Sequence, residues 1–327
     1  MNWSGIKTLV TGGTGLIGSA TVNQLIDLGA EVYVVSLDQV AVPAGARFIK
    51  ADLTNKNECL NVFDGMEVVF HLAGIKASAR ITIERPASFL VPMLQMNTNV
   101  IEAVSKIQNP NIVFTSSIGA YAAGETLAED GHNLTSEPMD TYPGWAKRVA
   151  ELQLRASNLE FPSFKYTVIR PSNVYGPGDN FDPNTAMVIG SLLGRCLRTK
   201  DDYVEVLGQG KALRDFVFSE DVAQALITTA SNPKNSLYNV GSGYGVSIRE
   251  LAQIIQEVTG KSLYFSNSVE PDYPIRILNI KKIQSEYSWR PRVDLRTGIA
   301  RTWTWLCQNR DESEKRHNYF KEHGGVN

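Results

Sequence analysis

Short, nearly uninterrupted apolar runs alternate along the first half of the chain with longer stretches whose apolar positions recur at helical spacing. Residues 6–11 (IKTLVT), 31–36 (EVYVVS), 46–50, 67–72 (EVVFHL), 111–116 (NIVFTS) and 165–170 (KYTVIR) read as strands. Helices are expected between them: about 16–28, ending at Gly29; after Asp52, with Thr54 as N-cap; about 87–105; and from Pro143, welcome at a first helical position, to about 158. Strands apolar on both faces, each followed by a helix, predict an α/β chain with a doubly wound parallel sheet covered on both sides.

The texture changes after Arg170. The segment PSNVYGPGDNFDPN is rich in turn-forming residues, and mixed helices and short strands follow it. This pattern predicts a smaller α/β C-terminal domain set over the C-terminal edge of the sheet. The expected division assigns residues 1–172 and about 213–242 to the sheet domain, and 173–212 with 243–327 to the smaller one. Residues 314–327 read as a solvated tail.

Between the first strand and first helix lies Thr11-Gly12-Gly13-Thr14-Gly15-Leu16-Ile17-Gly18. Glycines at 12, 15 and 18 in that setting form a phosphate-binding turn. Gly12 permits the tight turn, Gly15 lets backbone approach a pyrophosphate, and Gly18 lets helix and strand pack closely. The helix N-terminus offers free amides and positive dipole to the phosphates. The sheet is therefore expected to be a Rossmann, dinucleotide-binding one. The second strand ends in Ser36-Leu37-Asp38-Gln39. A carboxylate there accepts from the adenosine ribose hydroxyls, whereas a 2′-phosphate requires Arg or Lys, so Asp38 favours NAD over NADP. The alternative register puts Ser36 at that position and makes Asp38 a turn residue.

Composition narrows the function class. The 327 residues carry a net charge of −2, with no basic surplus to suggest nucleic acid or an anionic membrane surface. Three dispersed cysteines, Cys59, Cys196 and Cys307, suggest neither a disulfide framework nor a metal site, and no metal is expected. With no leader pattern at MNWSGIKTLV and no apolar run long enough to span a bilayer, the expected location is the cytoplasm.

TGGTGLIG, Asp52-Leu53, His71-Leu72-Ala73-Gly74, Ser116-Ser117 and Arg170-Pro171 stand in the order found in extended short-chain dehydrogenases/reductases, the NAD-dependent epimerase/dehydratase group that modifies nucleotide sugars, and the chain resembles that family over nearly its whole length. Its segments VYGPGDNFDPN, Val188-Ile189 with Arg195, and LGQGKALRDFVFSEDVA resemble those of GDP-fucose synthase-like enzymes. The resemblance implies that the glycine turn with Leu16 and Ile17, then Asp52, Leu53, Leu72, Ala73, Gly74, Lys147 and Pro171 bind the cofactor, with Asp52 on the adenine amino group. It also implies a catalytic set of Ser117, a tyrosine and Lys147. The phenolate takes a sugar hydroxyl proton while hydride leaves the same carbon, the ammonium lowers the phenol's pKa, and the serine bonds the reacting oxygen.

Ser117 and Lys147 have plainer readings too, as a strand-end cap and a surface lysine. The tyrosine departs from the family's Tyr-x-x-x-Lys spacing. Pro143 stands four residues before Lys147, and Tyr142 five. On one continuous helix that extra residue rotates Tyr142 by about 100°. A helix opening at Pro143 would leave Tyr142 outside it, free to turn its ring back towards the site. Tyr142 is the expected acid/base, and Tyr121 is the rival.

Asn173, Arg195, Arg214 and Arg276 are the candidate substrate residues, together with Ser117. Arginine suits a diphosphate because its fork pairs two oxygens, although a surface ion pair is an arginine's commoner fate. By resemblance Arg214 contacts the diphosphate, Arg195 lies near the nucleotide, and Asn173 reaches the sugar or diphosphate. The family's 3,5-epimerising members rely on a Cys and a His, and the matching positions here are Gly119 and Met187. Its dehydratases need acidic residues where Ile118 and Gly119 stand. The expected activity is NAD-dependent oxidation or epimerisation at C4 of a nucleotide-linked sugar, with a GDP-hexose or GDP-heptose favoured. The alternatives are an NADP-dependent 4-keto-sugar reductase and a dinucleotide-binding regulator that has lost turnover. Surplus apolar residues in the 87–105 helix, Phe89, Leu90, Val91, Met93, Leu94 and Met96, suggest a homodimer or larger assembly.

Overall fold

The computed structural model describes residues 1–38, 40–75, 79–124, 127–131, 135–266 and 275–310. The expected tail, 314–327, lies outside them. The six anticipated strands are present as β1 (Lys7–Thr11), β2 (Glu31–Ser36), β3 (Ala46–Lys50), β4 (Val68–His71), β5 (Asn111–Thr115) and β6 (Lys165–Pro171). Further along are β7 (Asn173–Tyr175), β8 (Tyr203–Leu207), β9 (Leu213–Arg214), β10 (Phe216–Phe218), β11 (Ser236–Val240), β12 (Val246–Ser247), β13 (Ser262–Ser266) and β14 (Ile275–Arg276). The main sheet has seven parallel strands in the order β11-β6-β5-β4-β1-β2-β3. The chain grows outward from β1 in one direction and then returns through β4 in the other. The crevice at that reversal is where such sheets take ligands.

Neighbouring residues on each strand face opposite layers. Val10, Val34, Phe70, Val113 and Ile169 face the layer that holds α1 (Leu16–Asp27) and α7 (Ser219–Ser231). Leu9, Val35, Val69, Ile112, Phe114 and Val168 face α2 (Lys56–Val62), α4 (Pro86–Val104) and α5 (Thr141–Glu160). Each such side chain, once fully buried, stabilises the fold by about 1.5–3 kcal/mol. The short helix α3 (Ala79–Glu84) precedes α4. A third apolar cluster unites α6 (Val188–Arg198), α8 (Ile248–Thr259) and α10 (Leu295–Gln308) with β8, through Leu192, Leu193, Val204, Val206, Leu251, Ile255 and Ile299.

Two local expectations need correction. The cap of α2 is Asn55, whose side chain accepts from the Asn57 amide, not Thr54. Thr54 instead donates through its hydroxyl and its backbone to Asp52 Oδ1. In addition, α5 begins at Thr141, so Tyr142 sits within its first turn and not outside it, and the freedom to turn its ring back, expected of a residue outside the helix, is lost: on the continuous helix Tyr142 lies about 100° away from the position four residues before Lys147. Pro143 is tolerated there because a first-turn amide has no intrahelical partner to lose. Among the described residues no helix is long and apolar enough to cross a membrane.

Candidate active site

The glycine turn joins β1 to α1 at the reversal point. Gly12 has φ +66°, and a Cβ there would stand 2.8–2.9 Å from the Ala73 backbone. A Cβ on Gly18 would run into the Gly12 carbonyl, so the helix lies against its own turn only because residue 18 is glycine. Gly15 is different: its added Cβ would meet only the Gly12 oxygen, at 3.2 Å, so the protein leaves the space before it open. Leu16 is buried and Ile17 half-buried behind the turn. This cradle and its glycines fit a dinucleotide pyrophosphate.

Across the cradle, Thr11 Oγ1 accepts from the Leu72 and Ala73 amides at 3.2 and 3.1 Å, tying the end of β4 to the turn. Gly74 is exposed just beyond. Asp38 accepts from Thr14 Oγ1 at 2.6 Å, and its amide donates to Ser36 Oγ at 3.1 Å. Its carboxylate is thus turned back to the glycine turn. Asp52 Oδ1 is occupied by Thr54, and Leu53 is buried in the core beneath. Pro171 closes β6 and is buried.

Two of the catalytic candidates, Ser117 and Lys147, meet where β5 ends. Ser117 caps the turn Ile118–Ala120, its Oγ accepting from the Gly119 amide at 3.0 Å. Lys147, on α5, donates from Nζ to the Thr115 carbonyl at 2.7 Å and lies 4.7 Å from the Phe114 ring centroid. Burial lowers its pKa to about 8, with Glu151 pulling the other way. Tyr142 packs its half-buried side chain against the cluster containing Met93 and Ala146. The rival, Tyr121, is 3% exposed and donates its phenol to Asn239 Oδ1 at 2.8 Å. Burial pushes that phenol well above its ordinary range, so it is a poor proton acceptor.

His71, Ser116 and Arg170 stand in motifs quoted above, but the buried polar partners they take up are not written in those motifs. His71 bridges Thr11 Oγ1, at 2.8 Å, and Asn97 Oδ1, at 3.0 Å, and burial drives its pKa down to about 3. Glu151 takes Arg170 Nε at 2.9 Å and Nη2 at 2.5 Å, and Ser116 donates to the same carboxylate. Arg170 also lies 4.3 Å from the Tyr121 ring centroid. This clamp fixes α5 to β6 behind Lys147.

The substrate candidates divide. Arg214 and Arg276 lie directly opposite one another on β9 and β14, and so share a face. Arg276 Nη1 pairs with Asp140 Oδ1 at 2.9 Å. Arg214 also donates to the Leu213 carbonyl, and burial followed by the Arg276 charge lowers its pKa to about 10. Asn173 donates from both its amide and its side chain to the Asp215 carbonyl. Arg195 donates to the Glu205 carbonyl at 2.6 Å, tying α6 to β8. That contact is the structural fate open to any arginine. Met187 caps α6 and is exposed, and Gly119 faces the Asp140 carboxylate. Among the described residues no group of three or more His, Cys, Asp or Glu side chains is placed to hold a metal.

The model of the NAD dependent epimerase/dehydratase family matches residues 8–241. The chain belongs to that family. It is 33% identical over 92% of its length to a putative UDP-glucose 4-epimerase of Methanocaldococcus jannaschii, 98% of which is covered. It is 29% identical to a probable GDP-L-fucose synthase 1 of Oryza sativa subsp. japonica, over 93% of each chain. The crystal structure of Thermotoga maritima UDP-glucose 4-epimerase with UDP-glucose superposes with a TM-score of 0.82 at 28% identity, covering 93% of this chain and 99% of that one. The resemblance read from the sequence and the expectation of NAD agree with the family, whose members include nucleotide-sugar epimerases and synthases.

Proposed function

We propose that the protein is an NAD-dependent oxidoreductase acting at C4 of a nucleotide-linked hexose or heptose, as a 4-dehydrogenase or 4-epimerase. The observation that carries this reading is the convergence of Ser117 and Lys147 on the end of β5, beside the glycine cradle. NAD, when bound, supplies the hydride acceptor. Tyr142, in the first turn of α5, is the proposed acceptor of the C4 hydroxyl proton as the C4–H bond breaks to leave a 4-keto sugar, with Tyr121 its rival. Ser117 bonds the reacting oxygen, and Lys147 stabilises the phenolate and holds the nicotinamide ribose. Asp38, Asp52, Leu53, Ala73, Gly74 and Pro171 line the cofactor. Arg214 and Arg276 take the diphosphate, with Asn173 beside the sugar and Arg195 towards the nucleotide.

The side chain at 119 is a hydrogen atom and that at 187 a thioether, so neither exchanges a proton at C3 or C5. The substrate-side segments favour a GDP-sugar. The likeness to a UDP-glucose 4-epimerase makes UDP-glucose and UDP-galactose equal members of the assay. The test incubates NAD-loaded protein with each nucleotide sugar in heavy water and follows two-hydrogen loss by mass spectrometry and epimer formation by chromatography. Turnover without label at C3 or C5 supports the reading, and deuterium at either carbon overturns its exclusion of 3,5-epimerisation.

The same reading includes a homodimer or larger assembly, although the surplus apolar residues of α4 that suggest it are mostly accounted for within the subunit: Phe89, Met93 and Met96 are buried and Leu90 and Leu94 pack against the core, leaving Val91 exposed. Trp145, Leu152 and Leu159 recur every seven residues along α5, all exposed, with Val91 exposed on the adjacent α4. A monomeric mass by light scattering at micromolar concentration contradicts it.

A further inference from the structure

Asp140 occupies an N-cap position at the start of α5, where an aspartate ordinarily accepts from an amide of the first turn. Its side chain makes no such bond. The carboxylate instead spans two groups that the fold brings from different directions. One oxygen pairs with Arg276 Nη1 at 2.9 Å. The other lies where a Cβ on Gly119 would stand, so position 119 has no room for a side chain while Asp140 is there. The backbones are tied as well, the Asp140 amide donating to the Gly119 carbonyl at 3.2 Å. Gly119 in turn donates to Ser117 Oγ. The carboxylate is about one-third exposed.

It therefore stands between the reaction centre and the arginine pair. A hexose joined to a nucleotide by a C1 diphosphate, with C4 at Ser117 and its phosphates at Arg214 and Arg276, must pass its ring beside this carboxylate. We propose that Asp140 is a specificity-determining residue: its carboxylate, held by Arg276, accepts from the hydroxyls of a sugar that is neutral at C6 and repels a uronate. This rests on the nucleotide-sugar reading above. The Arg276 charge acts against that of Arg214, directly opposite it, and Asp140 is an anion that favours both. A diphosphate can pair with Arg214 and with the remaining donors of Arg276, whose Nη1 keeps Asp140 in place facing the ring. A second carboxylate on C6 would then be a like charge in a partly desolvated pocket, which costs tenfold or more in affinity, to order of magnitude.

The test is calorimetric binding to NAD-loaded protein. UDP and GDP are titrated first to find which diphosphate binds. A matched neutral and uronate pair on that nucleotide follows: UDP-glucose with UDP-glucuronic acid, or GDP-mannose with GDP-mannuronic acid. The neutral sugar is expected to bind wild type roughly tenfold or more tightly than the uronate. In Asp140→Asn, which keeps the size of the side chain, the ratio is expected to fall towards unity while affinity for the bare diphosphate is unchanged or higher. Asp140→Glu is expected to restore discrimination. A ratio unaltered by Asp140→Asn, or a wild type that prefers the uronate, overturns the inference and leaves the nucleotide-sugar reading intact. Failure of both diphosphates and every sugar to bind wild type, or binding indifferent to Arg214→Ala and Arg276→Ala, overturns the underlying reading and this inference with it.

Discussion

The Lys147 ammonium is bonded to the Thr115 carbonyl across 2.7 Å, at the strand end two residues before Ser117. In this position the lysine is desolvated, and its pKa falls to about 8. The sign is that of a cation made less stable by burial, so the charged form is complete below that value and is lost as pH rises through it. In the free enzyme kcat/KM is expected to fall above about pH 8. Lys147→Arg should move that limb out of range, because a guanidinium stays charged. Lys147→Met should weaken cofactor binding and lower the rate together. A wild-type profile that stays flat well above pH 8 contradicts the assignment.

Gly15 and Gly18 should fail in different ways. A side chain at 15 enters space the protein leaves open, so Gly15→Val is expected to fold and to lose dinucleotide affinity. A side chain at 18 strikes the Gly12 backbone, so Gly18→Val is expected to lower Tm even without ligand. Asp38→Ala should weaken NAD and narrow its preference over NADP. Normal NAD affinity in a folded Gly15→Val protein would displace the cofactor from this cradle.

Tyr142→Phe is expected to cut turnover by about 10²–10⁴-fold with cofactor binding intact. Tyr121→Phe should cost stability, because Asn239 Oδ1 loses a buried partner at about 1–3 kcal/mol, while the chemical step survives. The reverse pattern, in single-turnover rates and thermal melts, would hand the proton to Tyr121.

His71 sets an acid limit on the fold. Its pKa drops from 6.5 to about 3 because the native state buries it neutral between Thr11 and Asn97. The unfolded chain takes up a proton through the intervening range, so stability is complete above about pH 6.5 and is lost as pH falls towards 3. At about 1.4 kcal/mol per pKa unit the loss is on the order of 4–5 kcal/mol. Denaturant titrations from neutral to acid pH should show that slope in wild type and a shallower one in His71→Gln.

The first six strands and the glycine turn are legible because their signals are local: doubly buried strands read as apolar runs, and the glycines at 12 and 18 are needed by their own turn. The seventh strand, Ser236–Val240, pairs with β6 across a long insertion, and no periodic pattern marks where it docks. The start of α5 was misplaced at Pro143 because proline is favoured at a helix start, although the first turn also tolerates it two residues further in. Nothing in the sequence singles out Asp140. What turns its carboxylate away from the helix is Arg276, more than a hundred positions later. The bonds of His71 are likewise tertiary, since an isolated histidine at the end of an apolar strand says nothing of Thr11 and Asn97.

The most direct test of C4 chemistry follows one hydrogen. A nucleotide hexose that binds the protein is prepared with deuterium at C4 and incubated with NAD-loaded enzyme in ordinary water, and the products are read by mass spectrometry and NMR. The account predicts that the label moves to the reduced nicotinamide, or returns to C4 of the inverted sugar, and that Tyr142→Phe slows its departure with the binding of both ligands retained. Turnover that leaves the C4 label in place, or that releases it to solvent, would contradict the assignment of hydride chemistry at that carbon.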